Sequence, residues 1–243
     1  MHTQKIKNNV IVDESMMKAY LLDYWRSSGY ISSSTLVINE LTFVGLSRRI
    51  DLALVKDGEL IGIEIKSELD TLKRLDGQLE EYAAYFDKIY VFTTEKHYER
   101  SSEIATRSEG ILVLKNNSIK TMRRGRKQPI RDRRSFIKMM RATDLYHLVR
   151  KSGVKPSSME RKSLENFASK LPLYSLREAA IEQLKKRFTK HSDRFWANVE
   201  SNIYPLDITE LKKSECKKLT ASRDDSVSSM IKNGNFHKIL NTQ

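Results

Sequence analysis

The sequence has little of what disulfide-bonded, zinc-thiolate and membrane proteins need. It contains a single cysteine, Cys216, in 243 residues, which excludes an intramolecular disulfide and a cysteine-based zinc site. No apolar run approaches the roughly 20 residues of a membrane-spanning helix. The amino-terminal segment also lacks the apolar core of a signal peptide. We therefore expect a soluble, cytoplasmic protein without membrane contact.

Two further groups of motifs are missing. Neither GxxxxGK[ST] nor GxGxxG occurs, so the sequence does not indicate a nucleotide-driven motor. The five histidines have no metal-ligand spacing, and we interpret His97, which follows a predicted strand, as a surface residue. The candidate catalytic residues are therefore acidic and basic side chains.

Charge is distributed unevenly along the chain. The formal net charge is +13, with 39% hydrophobic residues, enough for a packed core. Residues 1–115 contain 15 Lys and Arg against 18 Asp and Glu, whereas residues 116–243 contain 29 against 13. This asymmetry is typical of proteins that bind polyanions, although a solvated helical surface would give the same pattern.

The most informative stretch runs from Arg48 to Tyr82. It opens with two short apolar runs joined by Asp57-Gly58, and this pair is a strong hairpin signal because both turn positions need a positive φ. The turn predicts that paired residue numbers sum to 115. Lys56 then pairs with Glu59, Ala53 with Gly62, and Asp51 with Glu64.

Strand alternation divides the hairpin between two faces. We expect Asp51, Glu64 and Lys66 on one face, and an apolar set on the other: Ile50, Leu52, Leu54, Ile61, Ile63 and Ile65. Two carboxylates directly opposite each other, with Cβ atoms roughly 5 Å apart, repel. A divalent cation would offset that repulsion, and Lys66 could hold an attacking water or a phosphate oxygen. The arrangement suits metal-assisted phosphodiester hydrolysis.

These residues carry a resemblance to a known superfamily. Asp51 with Glu64-Ile65-Lys66 resembles the PD-(D/E)xK nucleases, which have the restriction-endonuclease-like fold. Gln78 and Tyr82 in QLEEY resemble the QxxxY motif of the RecB-type branch. The run EIKSELDTLKRLDGQLEEYAAYFDKIYVF is similar to a little-characterised bacterial and phage-borne group. The resemblance covers roughly residues 17–114, and it departs from the pattern at Ile50, where the superfamily motif has proline.

The resemblance implies a set of site residues. The catalytic residues would be Asp51, Glu64, Lys66 and Gln78. Mg²⁺ or Mn²⁺ would be held by Asp51, Glu64, the Ile65 backbone carbonyl and Glu40, with Glu14 on the first helix as the competitor for the role of Glu40. Gln78 would orient Lys66 or contact DNA, and the products would carry 5′-phosphate.

Nucleic-acid contacts are predicted in two places. The first is the helix after the motif, where Lys73, Arg74 and Tyr82 would face the substrate, although Tyr82 also belongs to the apolar stripe of that helix. The second is a basic run: Arg123, Arg124, Arg126, Lys127, Arg131, Arg133 and Arg134. Such a run would neutralise phosphates in a salt-dependent manner. The alternative is a flexible, solvated linker.

The order of predicted elements is α-β-β-β-α-β-α-β, with residues 111–114 as the last strand. This order predicts an α/β fold with a mixed central sheet flanked by helices, the restriction-endonuclease-like αβββαβ core, followed by a basic helical region. We divide the chain into a nuclease core at residues 1–118, a basic and mainly helical region at 119–219 that would bind nucleic acid, and a polar, loosely ordered tail at 220–243. The four helices predicted after the core span residues 136–149, 162–171, 176–188 and 194–199.

The sequence therefore favours a Mg²⁺- or Mn²⁺-dependent nuclease that acts on DNA. Two alternatives remain open. One is a non-catalytic DNA- or RNA-binding protein on a nuclease-like fold. The other is an interaction protein of a phage or mobile element whose basic half docks on an acidic partner. Cutting of both strands would favour a homodimer.

Overall fold

The computed structural model describes residues 12–156 and 158–211. A six-stranded sheet forms its centre, with the strands side by side in chain order. The strands are β1 Leu36–Leu41, β2 Ile50–Lys56, β3 Glu59–Lys66, β4 Lys88–Thr94, β5 Gly110–Lys115 and β6 Ser118–Arg123. The helices are α1 Glu14–Ser27, α2 Leu75–Ala83, α3 Glu95–Ile104, α4 Arg133–Met139, α5 Ala142–Lys151, α6 Arg161–Ala168, α7 Leu173–Asn198 and α8 Pro205–Glu210.

The sheet is mixed, as the order of elements predicts. Strands β1, β2 and β3 pair antiparallel, β3, β4 and β5 pair parallel, and β5 and β6 pair antiparallel. Parallel neighbours need a crossover connection, and α2 and α3 supply the two that are required. The predicted fold class, a mixed sheet flanked by helices and followed by a helical region, is confirmed.

The β2–β3 hairpin has the predicted register. Asp57 and Gly58 both adopt a positive φ, of 49° and 73°, as a two-residue turn of this type demands. The pairs Lys56↔Glu59 and Ala53↔Gly62 are present. Pairing between the two strands extends as far as Leu52↔Ile63, one position short of Asp51 and Glu64.

The two faces of the sheet bury separate apolar cores. On one face, Leu52, Leu54, Ile61, Ile63 and Ile65 pack with α1, as predicted. The prediction for Ile50 is wrong, because Ile50 belongs to the core on the opposite face. Its Cδ1 atom lies 2.5 Å from where a Cβ of Gly62 would be, a space that only glycine leaves free. The alternation of side chains therefore breaks at Asp51, between Ile50 and Leu52.

The prediction that residues 111–114 form the last strand is also wrong. Strand β6 pairs with β5 through the turn Asn116-Asn117, in which both asparagines have positive φ, of 48° and 59°. Asparagine tolerates this conformation better than most residues, so the Asn-Asn pair is a hairpin signal. The sheet continues past residue 118, and the boundary drawn there falls inside a β-hairpin. The predicted tail, residues 220–243, lies outside the described residues.

The helical region differs from prediction in where its helices begin and end. The helix expected at residues 136–149 is divided into α4 and α5 at Met140-Arg141. The two helices expected at 176–188 and 194–199 are one helix, α7, of 26 residues. At about 1.5 Å per residue such a helix is about 39 Å long, which is enough to reach several parts of the sheet.

Helix α7 is bonded to the sheet at two places. Near its start, the Arg177 guanidinium donates to both carboxylate oxygens of buried Asp87, at 2.9 and 2.7 Å, and to the Gly58 carbonyl at 2.6 Å. Near its end, Ser192 Oγ accepts from the Val37 amide at 3.0 Å, and the Trp196 indole donates to the Thr35 carbonyl at 2.9 Å. The second contact covers the β1 edge of the sheet, where unpaired strand groups would otherwise be open.

Candidate active site

Asp51 lies where the β2–β3 pairing stops. Its Oδ2 atom accepts a hydrogen bond from the Ile65 amide at 2.7 Å. A side-chain carboxylate therefore binds the amide that would donate to a backbone carbonyl in regular strand pairing. The pKa of Asp51 is raised to about 8, first by burial and then by the nearby Glu64 carboxylate. The structure therefore brings the two predicted acids together at the open end of the hairpin.

Glu64 is held by two polar side chains on one of its oxygens. Lys66 Nζ donates to Glu64 Oε1 at 2.7 Å and to Gln78 Oε1 at 3.1 Å, and the Gln78 amide also donates to Glu64 Oε1. All three residues are at most 6% exposed. Burial raises the pKa of Glu64, while Lys66 acts in the opposite direction. Gln78, which α2 presents to the end of β3, thus contacts both Glu64 and Lys66; its catalytic role stays a prediction.

The arrangement suits a divalent cation. Glu64 Oε2 is buried and has no hydrogen-bond partner within the described part of the chain, and buried acceptors are normally satisfied. The pKa of its neighbour Asp51 is raised by burial and by the Glu64 charge. Residues 12–156 and 158–211 contain no cluster of three acidic, histidine or cysteine side chains that could hold a metal. Mg²⁺ is commonly bound through one or two carboxylates, with water and phosphate oxygens completing its shell, and Asp51 with Glu64 meets that description. The Ile65 carbonyl stays a predicted ligand.

A second polar group borders Asp51 on the α1 side. Lys18, which is only 3% exposed, donates to Asn39 Oδ1 at 2.7 Å and pairs with Glu14 at 2.5 Å. Both Glu14 and Lys18 act on the pKa of Asp51, Glu14 raising it and Lys18 lowering it. Glu14 is therefore the additional acid that the structure places near the cluster.

Glu40, the predicted metal ligand, is bonded to an exposed arginine, and its contact with a metal stays a prediction. Its carboxylate binds the Arg49 guanidinium at 2.6 Å, with the two side chains 37% and 64% exposed. Its backbone has a positive φ of 54°, a conformation that costs about 1–3 kcal/mol for a residue other than glycine. An exposed ion pair contributes only about 0–1 kcal/mol, so the contact with Arg49 does not by itself offset the strain.

Tyr82 lies behind the acids and is not a nucleic-acid contact. It is fully buried, and its hydroxyl donates to the Arg49 carbonyl at 2.9 Å. Burial and the Glu64 charge raise its pKa, so it stays neutral and acts as a donor. Of the two roles predicted for Tyr82, packing behind the site is confirmed, and contact with substrate is wrong.

Four basic residues lie on the chain segments that lead into the elements of the acid cluster, Arg48 and Arg49 before β2, and Lys73 and Arg74 before α2. Lys73 and Arg74 are exposed just before α2, since the helix predicted at residues 70–86 begins only at Leu75, and their contact with nucleic acid stays a prediction. Arg48 donates to the Arg74 carbonyl at 3.1 Å and so joins the two loops that border the site. Arg48 and Arg49 were missed in the sequence, although they directly precede Ile50-Asp51. We refer to Arg48, Arg49, Lys73 and Arg74 as the basic rim.

The predicted basic run is divided between structural and exposed residues. Arg123 donates to the carbonyls of Glu109 and Ala105, at 2.8 and 3.1 Å, which gives it a structural role, and its contact with nucleic acid stays a prediction. Lys127 pairs with Glu59 at 2.8 Å. The remaining members are exposed: Arg124, Arg126, Arg131, Arg133 and Arg134. Their contact with nucleic acid stays a prediction.

Comparison with known proteins shows the family to which this chain belongs. The family model described as "Bacteriophage P4 protein cII" matches residues 7–212. The chain belongs to this cII family. It is 30% identical over 212 residues to protein cII of Enterobacteria phage P4, an alignment that covers 84% of this chain and 80% of that protein. The names of the family and of this relative state no activity.

A solved structure is also similar to this cII-family chain. It is a protein of unknown function from Silicibacter pomeroyi, with 16% sequence identity and a TM-score of 0.39, and the match covers 60% of this chain and 99% of that chain. Among the described helices of the cII-family chain, none has the length and apolar character needed to cross a membrane.

Proposed function

We propose that this cII-family protein is a divalent-metal-dependent nuclease that hydrolyses phosphodiester bonds, with DNA as its substrate. The observation that carries the proposal is the meeting of Asp51, Glu64, Lys66 and Gln78 at the open end of the hairpin, where one carboxylate oxygen of Glu64 has no partner in the described structure. The PD-(D/E)xK resemblance supports it, because the resemblance implies these four residues. The cytoplasmic location and the homodimer stay predictions.

Each residue of the cluster has a role in such a reaction. Asp51 and Glu64 would hold Mg²⁺ or Mn²⁺, which lowers the pKa of a bound water and neutralises phosphate oxygens. Lys66 would donate a hydrogen bond to the attacking water and stabilise the charge that develops on phosphorus-bound oxygen. Gln78 keeps the Lys66 ammonium beside Glu64. Tyr82 fixes the Arg49 carbonyl and hence the start of the strand that carries Asp51.

The decisive experiment measures cleavage by the full-length protein. Supercoiled plasmid, single-stranded circular DNA and RNA are each incubated with Mg²⁺, Mn²⁺ or EDTA. We expect metal-dependent cleavage of DNA, and a loss of at least about 100-fold in Lys66→Ala and Asp51→Asn, the scale for removing a group that acts on the transition state. The control is Lys56→Ala at the turn end of β2, which should cleave like wild type.

Two results would defeat the proposal. One is full activity in Lys66→Ala, and the other is a wild-type protein that leaves every substrate intact with both metals. In the second case, DNA binding in EDTA would favour the alternative of a non-catalytic nucleic-acid-binding protein. The observation that favours this alternative is the exposed arginine group at the start of α4, Arg131, Arg133 and Arg134.

A further inference from the structure

The Glu40–Arg49 ion pair lies beside the start of the strand that carries Asp51. Arg49 is two residues before Asp51, and its carbonyl is fixed by the hydroxyl of buried Tyr82. Its guanidinium is on the surface, 64% exposed, and forms an ion pair with Glu40 at 2.6 Å. The backbone of Arg49 is therefore anchored in the site while its charge is presented to solvent.

Glu40, the partner of Arg49, has an unusual backbone conformation. The flanking pairs Asn39↔Leu52 and Leu41↔Ile50 place residue 40 opposite Asp51 in the β1–β2 register. Side chains opposite each other in regular antiparallel strands lie together on one face, which would add a third acid beside Asp51. Glu40 instead has a positive φ, and its carboxylate is bonded to an exposed arginine. Strain of this kind that brings little stability is typical of functional positions.

We propose that Arg49 binds a backbone phosphate next to the one that is cleaved, and that Glu40 holds the guanidinium in position until the nucleic-acid strand displaces the carboxylate. A guanidinium binds phosphate through two parallel hydrogen bonds, which a carboxylate can occupy in its absence. The neighbouring members of the basic rim favour a polyanion as the incoming partner. The inference deepens the proposed function, because the strand concerned is the one to be hydrolysed.

The test measures DNA binding without cleavage. Full-length protein is titrated in EDTA against fluorescein-labelled single-stranded and duplex oligonucleotides, followed by anisotropy. Arg49→Ala should weaken binding about 5- to 10-fold, and should reduce the slope of log affinity against log salt by about one, as expected for one lost phosphate contact. Glu40→Gln should tighten binding about 3-fold, because the competing carboxylate charge is gone.

The double variant separates this role from a structural one. If Glu40 acts only through Arg49, the gain of Glu40→Gln should vanish when Arg49 is alanine. Lys56→Ala is the matched control, since it removes the same charge from an ion pair with Asp57 at the other end of β2; it should bind like wild type. Circular dichroism on every variant reports folding.

The outcomes divide clearly. Wild-type affinity in folded Arg49→Ala, a Glu40→Gln gain that persists without Arg49, or no DNA binding by wild type would each overturn the inference. If the expected binding changes occur but no metal supports cleavage, the nuclease proposal fails and the phosphate contact of Arg49 stands.

Discussion

The β2–β3 hairpin has two ends that differ in almost every respect. At the turn, pairing is regular through Lys56↔Glu59, and Arg177 of α7 bonds the Gly58 carbonyl and Asp87. At the other end, pairing stops at Leu52↔Ile63, and the next residue, Asp51, uses its carboxylate to bind the Ile65 amide. One end pairs its buried acid with an arginine, and the other places two acids close together.

The difference shows how a single hairpin can separate stability from chemistry. Regular pairing and the buried Arg177–Asp87 ion pair hold the strands in register. That register keeps Asp51 and Glu64 together in a setting where burial raises the pKa of both carboxyl groups, and where the Glu64 charge raises the pKa of Asp51 further. The unfavourable electrostatics of the open end therefore depend on the favourable contacts of the turn end.

The largest expected effect concerns the pH dependence of stability. Folded Asp51 has a pKa of about 8, against about 3.9 for a free aspartate. Because the folded chain keeps the proton to higher pH, the free energy of unfolding falls as pH rises from about 4 to 8, by at most about 6 kcal/mol. Asp51→Asn should flatten this fall and be more stable than wild type above pH 8, in urea unfolding followed in EDTA. Asp57→Asn, at the exposed turn, should keep the wild-type dependence; equal slopes for all three proteins would contradict the electrostatic conflict at Asp51.

The next effect concerns the turn end. Asp87 is fully buried and its carboxylate is paired by Arg177, so Arg177→Ala leaves a buried charge without its partner and should cost about 3 kcal/mol. Urea unfolding measures the loss. Arg100→Ala removes an exposed ion pair with Glu103 and should change stability by less than about 1 kcal/mol. A similar small loss in Arg177→Ala would show that α7 contributes little to the hairpin.

A smaller effect should distinguish Glu14 from Glu40 as the additional acid near the proposed metal. Glu14 raises the pKa of Asp51, so Glu14→Gln removes negative charge beside the proposed cation and should weaken Mn²⁺ binding about 10-fold, as changes around metal ligands commonly do. Glu40→Gln should leave Mn²⁺ affinity near that of wild type, because its carboxylate binds Arg49. Titration calorimetry measures both, and the reverse order of the two variants would restore Glu40 as the relevant acid.

The smallest effect belongs to the turn itself. Gly58 has a φ of 73° with no atom within 4 Å of an added Cβ, so Gly58→Ala is penalised by backbone conformation alone, at about 1 kcal/mol. Gly58→Asn should be better tolerated, since asparagine accepts a positive φ. Thermal unfolding compares the two, and equal losses would point to a cause other than the backbone.

Much of this architecture could be predicted from the sequence because local rules specify it. Asp57-Gly58 fixes the hairpin register, and the i, i+4 spacing of Gln78 and Tyr82 places both on one helix face. Glu64 and Lys66 follow from strand alternation. These features depend only on regular geometry and on neighbours a few residues apart.

The errors come from places where regular geometry fails. Alternation is broken at Asp51, which no periodicity argument anticipates, and this placed Ile50 on the wrong face. Glu40, which the register places opposite Asp51, has a positive φ and bonds Arg49, which strand geometry does not anticipate. Lys18 escaped notice because a Glu–Lys pair at i, i+4 resembles an ordinary surface pair, and its burial depends on packing between α1 and β1.

The contact of Ser192 and Trp196 with β1 has a practical consequence for handling the protein. The amide of Val37 and the carbonyl of Thr35 are satisfied by side chains, and Ser192 is 155 residues further along the chain than Val37. A fragment that ends after β6 would leave the β1 edge strand exposed. Exposed edge strands pair with other chains and cause aggregation. Resistance of the sheet to self-association is thus encoded in a distant helix, and truncated versions should precipitate.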